Sequence, residues 1–276
     1  MTASTSWTAW TASTATGRLR AGTGFVLRSW RLELWQLMRS RLYLFQCVLL
    51  PLIFASLAFY MFRSSTRHVA PIDVALSAAL MGMWSSTLLG SGNAINRLRW
   101  SQILEPLVAS PRSTFLITLP FALATASLGV YGLVATLLWS ALLFDMPLHI
   151  ADPLLFVGAV GVTVVALGML GLLMASAFIL YPTAQSLANF FEYPVWMLSG
   201  MLVPISTLPA SVRSISYLLA PTWGVKALEG AAAGTSGAGS AVGMCALLSA
   251  VYIAVTLLLQ KRFEWLARSS GTLALQ

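Results

Sequence analysis

The chain has 276 residues, of which 58% are hydrophobic and only 9% charged, with a formal net charge of +8. Soluble domains carry about 25% charged residues, so this composition leaves too few polar groups to coat a water-facing surface, and it lies at the opposite extreme from intrinsic disorder. The sixteen basic residues stand mostly at the ends of apolar runs and form no continuous basic face, a placement that fits anionic lipid headgroups and excludes a nucleic-acid partner.

In chain order, residues 1–24 are rich in Thr, Ser and Ala and lack the apolar centre of a signal peptide. They are expected to form a mobile cytoplasmic tail. Residues 25–41 read as an amphipathic interface helix. Leu27, Trp30, Leu34, Leu37 and Met38 gather on one side at helical spacing, with Arg28, Ser29, Gln36 and Arg39 opposite, the pattern of a helix lying in the headgroup layer. A polybasic anchor that only sets topology is the alternative.

Six apolar stretches follow, each near the roughly 20 residues that cross a bilayer as a helix. They cover residues 42–62, 74–95, a part of 113–144, 153–180, about 183–203 and about 240–260. The third stretch is longer than one crossing needs, so its ends are expected to be loop. Tyr181-Pro182 separates the fourth and fifth, because proline disfavours helix at the preceding residue. Between the fifth and sixth, residues of about 204–238 are punctuated by Pro204, Pro209 and Pro221 and read as a pair of short re-entrant or surface-lying helices. The predicted fold class is an all-α membrane protein with six transmembrane helices over 42–260, followed by a cytoplasmic C-terminal tail over 261–276.

Twelve Lys and Arg fall on the side that holds both termini and four on the other, so both termini are expected in the cytoplasm. The prevalence of Ala and Arg fits a GC-rich bacterial genome, and the expected location is a bacterial plasma membrane.

Motifs for catalysis are missing. The sequence has no GxxxxGK[ST] phosphate loop, HExxH or GxSxG. His68 and His149 fall in separate expected loops, Cys47 and Cys245 lie inside apolar runs, and the eight carboxylates are spread along the chain with no expected close pair. The chain is read as a non-enzyme that binds no metal or cofactor directly.

Two segments carry a family resemblance. The run Leu104, Glu105, Leu107, Ser110, Pro111 resembles the Gly-Thr-Leu-Glu-x-Leu-x-x-Ser-Pro segment of ABC type-2 transporter permeases, with Gln102-Ile103 in place of Gly-Thr and with Arg97 and Arg99 in place of the acidic residues often found just upstream. Ser199, Gly200 and Pro204, then Leu208-Pro209, then Pro221 are similar to the family's Ser-Gly-x-x-x-Pro, Leu-Pro and Asn-Pro signposts, with Ala220 where Asn is common. The order of these signposts along a six-span chain resembles the family as a whole, and the chain length with the expected lack of an external domain is most similar to its daunorubicin-resistance and nodulation-type export permeases.

The resemblance implies an ATP-driven exporter of a hydrophobic small molecule, drug or lipid-like metabolite. It would be assembled from this chain, a second permease chain (identical or related) and two copies of an ABC ATPase subunit that holds ATP and Mg. Residues of about 97–110 would be the coupling helix on that ATPase, with Glu105 transmitting its closure; a solvated loop charge is the alternative for Glu105. Segment 204–219 would be the external gate, formed by Ser199, Gly200, Pro204, Leu208, Pro209 and Pro221 with an apolar face around Ile215 and Leu218. Ordinary loop packing is the alternative.

Two further features stand beside the resemblance. Ala78, Gly82, Ser86, Gly90 and Ala94 recur at every fourth position, a small-residue stripe that permits close helix packing within the chain or at a dimer seam. Glu192 is the single acid near the middle of an expected span, two residues before Pro194. A carboxylate at that depth faces a cavity, finds a partner or takes up a proton, so Glu192 is either a structural hydrogen-bonding group or part of the translocation path with Tyr193 and Trp196. Phe190, Phe191, Trp84 and Trp139 are further aromatic candidates for that path. Two other functions stay open: export of a lipid-linked polysaccharide, and ion-coupled carriage with Glu192 as the proton site.

Overall fold

The computed structural model describes residues 5–63, 70–100, 113–145, 149–178 and 184–270. They form nine α-helices: α1 (Thr5–Arg39), α2 (Arg41–Arg63), α3 (Pro71–Trp100), α4 (Thr114–Phe144), α5 (Pro153–Phe178), α6 (Ala184–Ser199), α7 (Ala210–Ser216), α8 (Ala220–Ala233) and α9 (Ala238–Ser270), with a 3-10 turn over Ile205–Thr207. The described residues contain no strand.

Four helices hold a segment long and apolar enough to cross a membrane: Arg41–Tyr60, Thr114–Phe144, Pro153–Met174 and Ala238–Arg262. Two of the six expected spans are not among them. α6 has 16 residues, about 24 Å at 1.5 Å per residue against about 30 Å of hydrocarbon. α3 is long enough, with 30 residues, but it is the central helix and packs on α2, α4, α5, α6 and α8. Apart from Ser77, every side chain from Val74 to Leu88 is buried. A helix shielded from lipid by its neighbours needs no apolar surface, so small and hydroxylic residues are tolerated once their groups are paired. Ser86 Oγ and Thr87 Oγ1 both donate to the Met83 carbonyl, at 2.9 and 2.7 Å.

Element boundaries differ from the sequence reading in three places. α1 starts at Thr5 instead of residue 25, because the first segment contains no proline and its Ala residues favour helix. α4 is one unbroken helix of 31 residues, without loop at its ends. Ser113 caps it by accepting from the Phe115 N–H at 3.3 Å, and Asp145 ends it in the left-handed conformation. α9 continues through Lys261 and Arg262 to Ser270, since long basic side chains are good helix formers whose charged ends reach the headgroups. The C-terminal tail expected from residue 261 is therefore helical as far as Ser270.

At the α1–α2 junction the chain turns at Ser40. Its carbonyl accepts from Leu44 N–H at 3.1 Å and its hydroxyl accepts from Tyr43 N–H at 3.4 Å, which restarts the helix. The expected amphipathic stripe of α1 is only partly used inside the chain. Trp30, Leu34 and Leu37 pack on Ala124 and Leu128 of α4, and Trp30 Nε1 donates to Ser127 Oγ at 3.3 Å. Leu27 and Met38 are exposed.

Side-chain pairings fix the relative heights of the helices. Tyr43, early in α2, donates to the Ser86 carbonyl of α3 at 3.2 Å. Gln260, late in α9, donates to Thr118 of early α4 (3.1 Å) and Ser176 of late α5 (2.7 Å). At the other end, Phe59 of α2 stacks on Phe144 of α4 with centroids 4.1 Å apart, and Trp139 Nε1 donates to Ser56 Oγ at 3.3 Å. One face thus holds the starts of α2 and α4 and the ends of α5 and α9, and the opposite face holds the ends of α2 and α4.

α8 and the first half of α9 form a helical hairpin packed on α5. The end of α8 meets the start of α5, where Ala151 and Asp152 N–H groups donate to the carbonyls of Ala232 and Ala231 at 3.0 and 3.2 Å. Its beginning lies beside the middle of α9. There the Tyr252 hydroxyl accepts from Ala220 N–H at 3.0 Å and donates to the Leu218 carbonyl at 3.1 Å. α8 therefore runs from inside the bundle back to the face where α5 begins.

Candidate functional site

A cavity of about 860 Å³ opens where α6 stops inside the bundle. Gly200 makes the stop possible. It has φ +87 and no room for a side chain, since an added Cβ would lie 2.9 Å from Ile205 Cγ1. The chain then folds over the end of α6, and Leu202 N–H donates to the Trp196 carbonyl at 3.2 Å. Segment 201–217 and α8 supply one wall of the cavity, and late α2, early α3 and the end of α6 supply the other.

The walls are chemically mixed. Phe54, Met81, Tyr193 and Trp196 give an aromatic and apolar side, and Trp196 packs edge-on against both Phe54 and Tyr193 with centroids 5.2 Å apart. Asp73, Arg213, Lys226 and Glu229 give a charged side. Arg213 Nη2 donates to the carbonyls of Ser206 (2.9 Å) and Leu208 (3.0 Å) and so holds the loop over α6. Lys226 Nζ lies over the rings of Tyr217 and Trp223, 4.3 and 4.9 Å from their centroids. For Glu229, burial and the nearby Asp73 charge raise the carboxyl to about 7, against an opposing pull from Lys226.

Sequence reading expected no close carboxylate pair; the structure places Asp73 and Glu229 around the same cavity, where the Asp73 charge adds to the burial that raises the Glu229 carboxyl. The two acids are 156 positions apart in sequence and come together only because α8 folds back against the start of α3. The single local hint was the Lys226–Glu229 spacing, which puts both on one helical face.

The expected site residues are distributed as follows. Tyr193, Trp196, Gly200 and Pro204 line the cavity. Ser199 is buried behind it, with its hydroxyl on the Trp196 carbonyl at 3.4 Å. Leu208 is buried, Pro209 is exposed at the start of α7, and Pro221 is buried at the start of α8. Ile215 and Leu218, expected on the apolar face of the gate, are 52% and 67% exposed, and the neighbouring Tyr217 lines the cavity. Glu192 lies outside the lining and accepts a hydrogen bond from Ser85 Oγ of α3. Phe190 and Phe191 are exposed, Trp84 is buried in the central core, and Trp139 is engaged with Ser56.

Gly82 and Gly90 mark the closest approaches of α3 to its neighbours. A Cβ on Gly82 would lie 2.2 Å from Pro51 Cγ of α2, and one on Gly90 would lie 2.3 Å from Thr125 Cγ2 of α4. Ser86 is buried between these contacts and Ala78 one turn before them, so this part of the stripe is filled by helices of the same chain. The backbone at Arg97 and Arg99 belongs to the last turn of α3 instead of a separate coupling helix. Leu104, Glu105, Ser110 and Pro111 lie outside the described residues.

The sequence profile of the ABC-2 type transporter family matches residues 26–232, which spans α1 through α8 and includes every wall of the cavity. A comparison with curated proteins finds no match. With four membrane-crossing helices and a family match over most of its length, the chain is an integral membrane protein, a permease subunit that belongs to the ABC-2 type transporter family.

Proposed function

We propose that this permease is half of the membrane part of an ATP-driven exporter that moves a hydrophobic small molecule, drug or lipid-like metabolite out of the cytoplasm or inner leaflet. A second permease chain and two ATPase subunits complete it, and ATP and Mg are held by the ATPases. The observation that carries the reading is the aromatic-walled cavity at the inner end of α6, a volume suited to a drug-sized apolar molecule.

In this reading α2, α3, α4, α5, α6 and α9 are the six crossings, and both termini are cytoplasmic. Supporting it, late α2, early α3 and the end of α6 share one cavity, as alternating traverses require. α7 and α8 are the re-entrant pair, supported by the seating of Ala220 against Tyr252 in mid-α9. Ser199, Gly200, Pro204, Leu208, Pro209 and Pro221 form the external gate, and Glu192 braces the path beside Tyr193 and Trp196. Arg97, Arg99, Leu104, Glu105, Ser110 and Pro111 couple to the ATPase.

The test is gentle affinity purification of the full chain from its host, with mass spectrometry of the associated proteins. The expected result is a stoichiometric ATP-binding subunit that is lost on Glu105→Arg while membrane insertion is retained. The same sample distinguishes an identical from a related second permease. Recovery of the chain alone, with transport that resists vanadate and collapses with the proton gradient, overturns the reading.

A further inference from the structure

α1 is covered by the protein on one side only. Trp30, Leu34 and Leu37 sit on α4, and Glu33, the one acid of α1, is buried on that side. At 100° per residue, the adjoining arc of about 120° carries Leu27, Met38, Arg31, Trp35, Arg28 and Arg39 in order round the helix, and all six are exposed. The outward face is thus not the apolar stripe of the sequence. α4 takes the purely apolar side, and arginines alternate with apolar residues on the side left outward.

This arc holds positive charge alone. Its three arginines make no ion pair among the described residues. The Arg39 guanidinium lies over the Trp35 ring, 4.9 Å from its centroid, a stacking that leaves the N–H groups at its edge directed at outside acceptors. α1 ends at Arg39 and the membrane-crossing segment of α2 begins at Arg41, so the arc stands where the hydrocarbon layer ends. Phosphate oxygens lie at that level, with acyl chains directly beneath them.

We propose that the outward face of α1 binds anionic phospholipids, with Arg28, Arg31 and Arg39 on the headgroup phosphates and Leu27, Trp35 and Met38 in the acyl boundary. Guanidinium groups pair with phosphate through two parallel hydrogen bonds, and the apolar side chains between them add buried area to the electrostatic attraction. The same charge pattern sets the preference among lipids. A zwitterionic headgroup brings an ammonium for which this arc has no acid, whereas a headgroup of net negative charge meets only arginines. A soluble acidic partner fits less well, since Leu27, Trp35 and Met38 stand between the arginines at the level where lipid begins. Such a surface is independent of the proposed cargo and goes beyond the transport reading.

The test uses the purified full chain in detergent, given an equimolar mixture of phosphatidylglycerol and phosphatidylcholine with identical acyl chains, with retained lipid counted by native mass spectrometry. Phosphatidylglycerol is expected to be retained at least about fivefold over phosphatidylcholine, the effect of one basic residue at an anionic surface. The triple variant Arg28→Gln, Arg31→Gln, Arg39→Gln brings the two lipids to parity. Lys261→Gln with Arg262→Gln, at exposed basic positions of α9, leaves the preference in place. Photocrosslinking of the native chain to phosphatidylglycerol with a headgroup diazirine needs no variant and is expected to label residues 25–41. Equal retention of the two lipids by the native chain, a preference that survives the triple variant or disappears equally in the α9 variant, or labelling concentrated outside 25–41 overturns the proposal. A triple variant that keeps its lipid preference but no longer co-purifies with an ATP-binding subunit also overturns it and assigns this face to a protein contact.

Discussion

Ser85 of α3 donates its hydroxyl hydrogen bond to Glu192 of α6. That contact joins the most buried helix of the bundle to the helix whose end forms the cavity. It also settles which neighbour meets the single acid of the fifth apolar stretch, a residue whose burial is costly without a partner. Ser85 Oγ lies 3.0 Å from the Met81 carbonyl as well, so its single hydroxyl proton is shared between the Glu192 carboxylate and the helix backbone.

Replacement of Glu192 separates bracing from a direct part in transport. Glu192→Gln keeps an oxygen for Ser85 and is expected to change stability by less than about 1 kcal/mol, whereas Glu192→Ala removes the partner and costs about 1–2 kcal/mol. Thermal unfolding in detergent measures both. If Glu192 is only a brace, Glu192→Gln transports normally; a drop of about tenfold or more in a variant of native stability assigns the carboxyl to the path.

Close packing at Gly82 makes a second prediction. Its Cβ position is 2.2 Å from Pro51 Cγ and 2.7 Å from Pro51 Cβ, too near for any side chain without movement of α2 or α3. Gly82→Val is expected to destabilise the fold by about 1–3 kcal/mol. Pro51→Ala in the same chain recovers part of that loss, a coupling that a double-mutant cycle of melting temperatures would show. Additive losses would mean that the two helices do not meet there.

Tyr252 holds the beginning of α8 by accepting from Ala220 N–H and donating to the Leu218 carbonyl. Tyr252→Phe leaves both backbone groups without this partner, at a cost of about 1–3 kcal/mol. The loss should be local. Hydrogen exchange is expected to rise in residues 217–224 and to stay unchanged in α4, and uniform protection across both would contradict the anchoring role.

Glu229 gives the stability of the permease a pH dependence of definite sign. Its folded carboxyl titrates at about 7 against an ordinary 4.5, through burial and the Asp73 charge, with Lys226 opposing. The folded state therefore binds more protons than the unfolded state between these values. Stability falls as pH rises through that window, by on the order of 3 kcal/mol, and is not regained above it. Asp73 from α3 and Arg213 and Lys226 from the segment after α6 are the charged groups around the same cavity. Glu229→Gln should flatten the decline and raise the melting temperature at about pH 8, with little effect at about pH 5. A native chain whose melting temperature is constant over this range would show that Glu229 is more solvated than its position requires.

Some of this architecture is legible without coordinates. Uncharged apolar runs of about one bilayer's length declare α2, α4, α5 and α9 as helices for lipid, because a bilayer imposes one length and one polarity on whatever crosses it. The prolines at 204, 209 and 221 mark the interrupted segment for a local reason, since each removes a backbone donor. Gly200 belongs to the same class: its left-handed turn is dictated by the residue itself.

What the tertiary structure alone decides is which groups meet. Gly82 faces Pro51, Glu192 meets Ser85, and Asp73 is brought near Glu229, and none of these pairings leaves a periodic trace, because each depends on how two helices distant in the chain are packed. The same reason explains α3, whose small and hydroxylic residues weaken its apolar signal. Its neighbours replace lipid as its surroundings, and only the assembled bundle shows that.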